Sequence, residues 1–170
     1  MSTDIQTNSL PAAKLRIAVI ILAVMQALGS LSSLSVFGNL SEYVNNGFSQ
    51  WLLLAGLAIF PVLAVASLFF AIKGDVRRAI MAIAAIVMAT FMTDYLPSMF
   101  IHGLELRGGA ATSLHLFAQT IVFPLLAVVA FVLARRNEKL VLAAVLASLT
   151  MVSNILSVIA FGIVVAIYGF

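Results

Sequence analysis

Residues 51–72 read WLLLAGLAIFPVLAVASLFFAI, twenty-two positions without a charged side chain. At 1.5 Å per residue this run makes about 33 Å of helix, enough to cross the roughly 30 Å hydrocarbon core of a bilayer. A helix of this composition has no polar face to turn toward water. Its solvent is therefore lipid, and that decides the fold class.

Working outward, four more apolar windows appear, charge-free except for Asp94 in the third. They run from residue 17 to about 37, from 79 to about 95, from 114 to 134, and from Leu140 to the C-terminus, with the last helix placed over about 140–169. Pro97 is expected to stop or kink the third helix. The last window is roughly 46 Å long if wholly helical. That is too long to stand upright, so it should tilt, bend near Ser153/Asn154 or Gly162, or project beyond the membrane. The chain as a whole agrees: 64% of its 170 residues are hydrophobic and 9% charged, against about 45–50% and about 25% in soluble domains. The expectation is an all-α polytopic membrane bundle of five transmembrane helices. Residues 1–13 form a polar cytoplasmic tail and 14–170 a single transmembrane domain.

The first window also has the order of a signal peptide, with Lys14 and Arg16 before an apolar run and Ala27 and Gly29 after it. Its apolar character continues to Phe37, which favours a retained span. Lys and Arg mark the cytoplasmic side. Lys14 and Arg16 precede the first helix, Lys73, Arg77 and Arg78 separate the second from the third, and Arg135, Arg136 and Lys139 separate the fourth from the fifth. Only Arg107 falls on the opposite side. The expected orientation is N-terminus inside and C-terminus outside, in a bacterial inner membrane. Asn39, Leu40 and Ser41 fit a glycosylation acceptor, which matters only in a eukaryotic secretory route. The pI of 9.7 is then an orientation signal, and no basic stripe interleaved with aromatics argues for nucleic acid.

An internal match suggests duplication. Phe60-Pro61-Val62-Leu63-Ala64-Val65 is mirrored, 63 residues on, by Phe123-Pro124-Leu125-Leu126-Ala127-Val128. A shift of 60 sets Thr90, Thr93 and Asp94 against Thr150, Ser153 and Asn154. A parallel repeat of a helical hairpin would produce both matches; the small alphabet of lipid-facing segments would also produce some.

Counted from the inner boundary, Asp94 lies about 22 Å up, Asn154 about 21 Å and Ser33 about 24 Å. His115 and Gln119 enter the same layer from the outer end. Thr90, Thr93 and Asp94 share one helical stripe, as do Thr150, Ser153, Asn154 and Ser157. Unpaired polar groups in hydrocarbon are costly, so these stripes are expected to face one another in an outward-facing polar pocket with an apolar floor. The candidate pocket residues are Asp94, His115, Gln119, Asn154, Thr93 and Ser33. The plainer reading of the Ser, Thr, Asn and Gln residues is glue between helices. Asp94 is the one carboxylate well inside a helix, a ligand-site candidate or a structural partner of Arg107 or His102.

His102 and His115 are the candidate metal or haem ligands, although a spacing of 13 is no recognised ligand motif. The chain has no cysteine, which excludes disulfides and thiolate chemistry, and no nucleophile elbow, zinc-protease motif, P-loop or dinucleotide fingerprint is present. No enzymatic activity and no cofactor are expected. The sequence points to a small non-catalytic membrane component for binding, transport or an accessory role. Its partners would be the lipid bilayer and either a homo-oligomer or a larger membrane complex, with a structural subunit and a haem- or metal-binding redox subunit as rival readings.

Overall fold

A computed structural model describes the backbone of residues 9–33, 48–102 and 110–169, with side chains at 12–30, 54–100 and 113–169. It is all-helical, with no strand among the described residues. Helix α1 is Ser9–Ser33 and α2 is Phe48–Lys73. Helix α3 joins Val76–Thr90, a π-helical turn at Phe91–Tyr95, and Leu96–His102. Helix α4 joins Ala110–Phe117, a second π turn at Ala118–Val122, and Phe123–Arg136. Helix α5 is Leu140–Tyr168. Five helices among the described residues are long and apolar enough to cross a membrane.

The helix begins at Ser9, so the end of the 1–13 tail already belongs to α1. The third helix does not stop at Pro97 but runs through it to His102. A proline removes one backbone donor and crowds the carbonyl four residues back, here Thr93. The π turn just before Pro97 widens the helix, and the Leu96 N–H reaches back five residues to the Phe91 carbonyl. In α4 the Phe123 N–H bonds Ala118 in the same way, immediately before Pro124. Pro61 sits inside α2 with no such turn, so the Phe-Pro match at 60–65 and 123–128 joins two helices of different backbone.

The two described turns between helices are alike. Gly74 and Asp75 donate to Ala71 and Phe70 at 3.1 and 2.9 Å, and Asn137 and Glu138 donate to Ala134 and Leu133 at 3.0 and 2.9 Å. Gly74 at φ +85° and Asn137 at φ +58° supply the left-handed step, which Gly takes freely and Asn tolerates. They stand 63 residues apart, the offset of the Phe-Pro match. Asp75 then caps α3, accepting from the Arg78 N–H at 3.1 Å, while Arg16 of α1 donates to the Ile72 carbonyl at the end of α2. These contacts gather the basic residues of α1 and of both turns at one end of the bundle.

Helix α3 is central and packs on all four others. Its neighbours approach closely because the core is made of small residues: twelve of the seventeen buried hydrophobic side chains are alanines, including Ala23, Ala64, Ala79, Ala130 and Ala143. Large residues such as Val62, Leu125 and Phe161 point outward, as expected where lipid is as apolar as the interior and close van der Waals packing holds the helices together. Gly56 marks the tightest approach. A Cβ there would stand 2.7 Å from the Thr93 side chain, so α2 meets the π turn of α3 only with glycine at that position. Helix α5 runs unbroken for 29 residues, about 43 Å. It buries only Ala143, Ala144 and Ala147, and beyond Ile155 nearly every described side chain is exposed.

Candidate functional site

A cavity of about 460 Å³ lies between the helices and takes wall residues from all five. Helix α1 gives Gln26 and Ser30, α2 gives Phe60, α3 gives Ile83, Thr90 and Tyr95, α4 gives Gln119, and α5 gives Thr150 and Asn154. Among the described residues, no charged side chain lines it.

The pattern on α3 follows from the π turn. Ile83, Ile86, Val87 and Thr90 obey helical spacing, and in a regular helix Asp94 would come next on that face. The turn inserts one residue, so the next lining residue is Tyr95 instead. Asp94 is rotated out of the cavity and exposed, so Thr90 and Asp94 do not share one stripe. Thr93 is buried between helices at 8% exposure. Its hydroxyl is 3.0 Å from both the Ala89 carbonyl and Asp94 Oδ1, so its one proton serves one acceptor at a time.

The two π turns lie against one another and share a construction. Thr120, like Thr93, is the third residue of its turn, is buried, and stands four residues before a proline. It donates to the Leu116 carbonyl at 2.8 Å. In each turn a threonine hydroxyl bonds a carbonyl four residues back, in the stretch where the backbone itself has changed to five-residue spacing.

Gln119, only 5% exposed, donates through Nε2 to Asn154 Oδ1 at 2.5 Å. Gln119 Oε1 and Asn154 Nδ2 have no hydrogen-bond partner among the described residues, leaving one acceptor and one donor group at the cavity wall. Most hydroxyls do not bridge helices. Ser30, Ser67, Thr90, Ser148 and Ser157 each donate to a carbonyl three or four residues back in their own helix. The Gln119–Asn154 pair, by contrast, joins two helices through their side chains.

His115 is half-buried, with Nδ1 3.5 Å from Ser157 Oγ. The Ser157 hydroxyl also lies 2.9 Å from the Ser153 carbonyl, so its one proton serves either that carbonyl or His115, as the imidazole tautomer dictates. No group of three His, Asp or Glu side chains suited to a metal ion occurs among the described residues. Ser33 lies in α1 and His102 in α3, but their side chains, like Asn39, Glu105 and Arg107, fall outside the described residues.

The sequence reading passed over Gly56, Tyr95 and Phe60. The available signal was Thr-x-x-x-Pro, present at 93–97 and again at 120–124.

The described residues define an all-helical bundle of five helices long and apolar enough to cross a membrane, around a cavity with no charged side chain among its described walls. No family model, curated protein or solved structure matches this chain.

Proposed function

We propose that the protein is a non-catalytic membrane component that binds a small uncharged amphipathic molecule in the central cavity. The observation that carries this reading is the Gln119–Asn154 amide pair, set in a chamber whose described walls carry no charge. The volume is within the roughly 300–1,000 Å³ of small-molecule sites. An ionic ligand would lose its hydration there with no counter-charge, whereas a carbonyl or amide head can use the free donor and acceptor. Toward the basic end the walls are apolar (Phe60, Ile83, Ile86), which supports a binding chamber over an open ion path and makes transport dependent on a second, inward-open state.

The test uses three probes with one tail: octanamide, octanoate and octylamine, added to the protein in phosphatidylcholine nanodiscs. Octanamide should raise the unfolding temperature of the parent chain, and Gln119→Leu should abolish that rise while remaining folded. An equal response to all three probes, or none to octanamide, overturns the reading.

The basic end supports the cytoplasmic assignment of the N-terminus and of both described turns, in a bacterial inner membrane. A C-terminal alkaline phosphatase fusion should then be active and a fluorescent-protein fusion dark. A homo-oligomer or larger complex is the companion reading, favoured by the exposed outer half of α5, where Val158, Phe161 and Ile167 are all more than 60% exposed. Native mass spectrometry with an absorbance spectrum checks it: a multimer or stoichiometric partner supports it, and a Soret band would bring the histidine-ligand reading forward.

A further inference from the structure

A second depression lies between α1 and α5 at the basic end of the bundle, apart from the central cavity. It has a volume of about 580 Å³ and is walled by Leu15, Ala18 and Leu22 on one side and Val141 and Val145 on the other, with Lys14 at its mouth. We propose that this groove holds an anionic phospholipid, with one acyl chain between α1 and α5 and the phosphate at the Lys14 ammonium. The proposal does not depend on the ligand assigned to the central cavity.

The groove walls set the tail. From Lys14 to Leu22 the groove follows about 12 Å of helix along α1. Small Ala18 and Ala144 hollow it out. Its one hydroxyl, Ser148, already donates to its own helix at Val145, 2.8 Å away, so nothing inside asks for a polar partner. A flexible apolar chain fills such a space; a soluble anion does not.

Charge sets the head. Lys14 has no ion pair or hydrogen bond among the described residues, while its neighbour Arg16 is committed to the Ile72 carbonyl. The acids described at this end are Asp75, paired with Arg78 at 3.3 Å, and Glu138, which stands beside Lys139. Against them stand Lys14, Arg16 and six further cations of the two turns. A second copy of the chain, inserted in the same orientation, would bring its own cationic end against this one, so like-charge repulsion disfavours it as the occupant. A negatively charged headgroup is complementary, and each Lys or Arg near an anionic surface contributes about 1 kcal/mol, or about five-fold in affinity.

The experiment is native mass spectrometry of the full chain in mild detergent, titrated with dioleoylphosphatidylglycerol, dioleoylphosphatidylcholine or inorganic phosphate. Phosphatidylglycerol should be retained one to one in preference to phosphatidylcholine. Lys14→Gln should weaken it about five-fold, while Arg136→Gln, an exposed cation of α4, should bind as the parent does. Ala18→Phe should exclude both lipids, and Val145→Phe repeats that arm should the first variant fold poorly. Equal retention of the two lipids overturns the proposal, as does an equal effect of Lys14→Gln and Arg136→Gln, which would mean diffuse attraction. It is equally overturned if inorganic phosphate competes fully with the lipid, or if Ala18→Phe dissolves a dimer while lipid binding persists.

Discussion

Gly56 and Gly29 show how differently two glycines of one bundle behave. At Gly56 a methyl group would sit 2.7 Å from Thr93, a β-branched side chain buried in the core, whereas at Gly29 it would meet no atom of the described residues within 4 Å. Gly56→Ala should therefore destabilise the protein by about 1–3 kcal/mol, the usual cost of overpacking. Gly29→Ala should be neutral or stabilising by up to about 1 kcal/mol, because glycine is the poorer helix former. Reversible unfolding of the two variants in mixed micelles checks both signs. Asp94 teaches a related lesson. As a lone intramembrane carboxylate it is the most conspicuous residue of the sequence, yet the cavity passes it by and uses Tyr95. Asp94→Asn should accordingly leave the octanamide response of the parent chain intact.

At the scale of the helix, the sequence was legible where hydrocarbon imposes one rule on a long stretch. A long apolar run has few structural solutions in a bilayer, and among the described residues five helices are long and apolar enough to cross one. Helix interiors were less legible. Face arguments assume a constant period, and the two π turns break it at residues 91–95 and 118–122. Gln119 and Asn154, expected in one polar layer, are hydrogen-bonded to each other across α4 and α5. If Pro124 holds its turn open, Pro124→Ala should restore an N–H for the Thr120 carbonyl and let the turn relax to α geometry. Residues before the turn would then rotate by about 100° relative to those after it. The cysteine-free chain allows a direct measurement: Gln119→Cys with Asn154→Cys should be joined by a short bifunctional thiol reagent, and adding Pro124→Ala should abolish the cross-link.

Across the whole molecule, size is distributed inside out relative to a water-soluble protein. Alanines fill the interior and Leu, Val, Ile and Phe cover the outside. Mutational sensitivity should invert with it. Leu125→Ala, at 62% exposure, should change stability by less than about 0.5 kcal/mol. Ala130→Leu, at a fully buried position, should cost about 1–3 kcal/mol. Unfolding of the pair in the same micelle separates packing from hydrophobicity, because only packing predicts that adding apolar volume does harm. Composition alone indicated that lipid surrounds the chain, but not which alanines face inward, since every face of such helices is apolar.

The bond from Arg16 to Ile72 links positions 56 residues apart, and this separation has a meaning in time. At about 5–20 residues per second of synthesis, the guanidinium waits roughly 3–11 s before its acceptor has been made. During that interval the Arg16 guanidinium has no Ile72 carbonyl to cap. The end of α2 is thus closed by a residue that preceded it through the ribosome, and the first two helices become a locked pair only when the turn leading to the third begins to emerge.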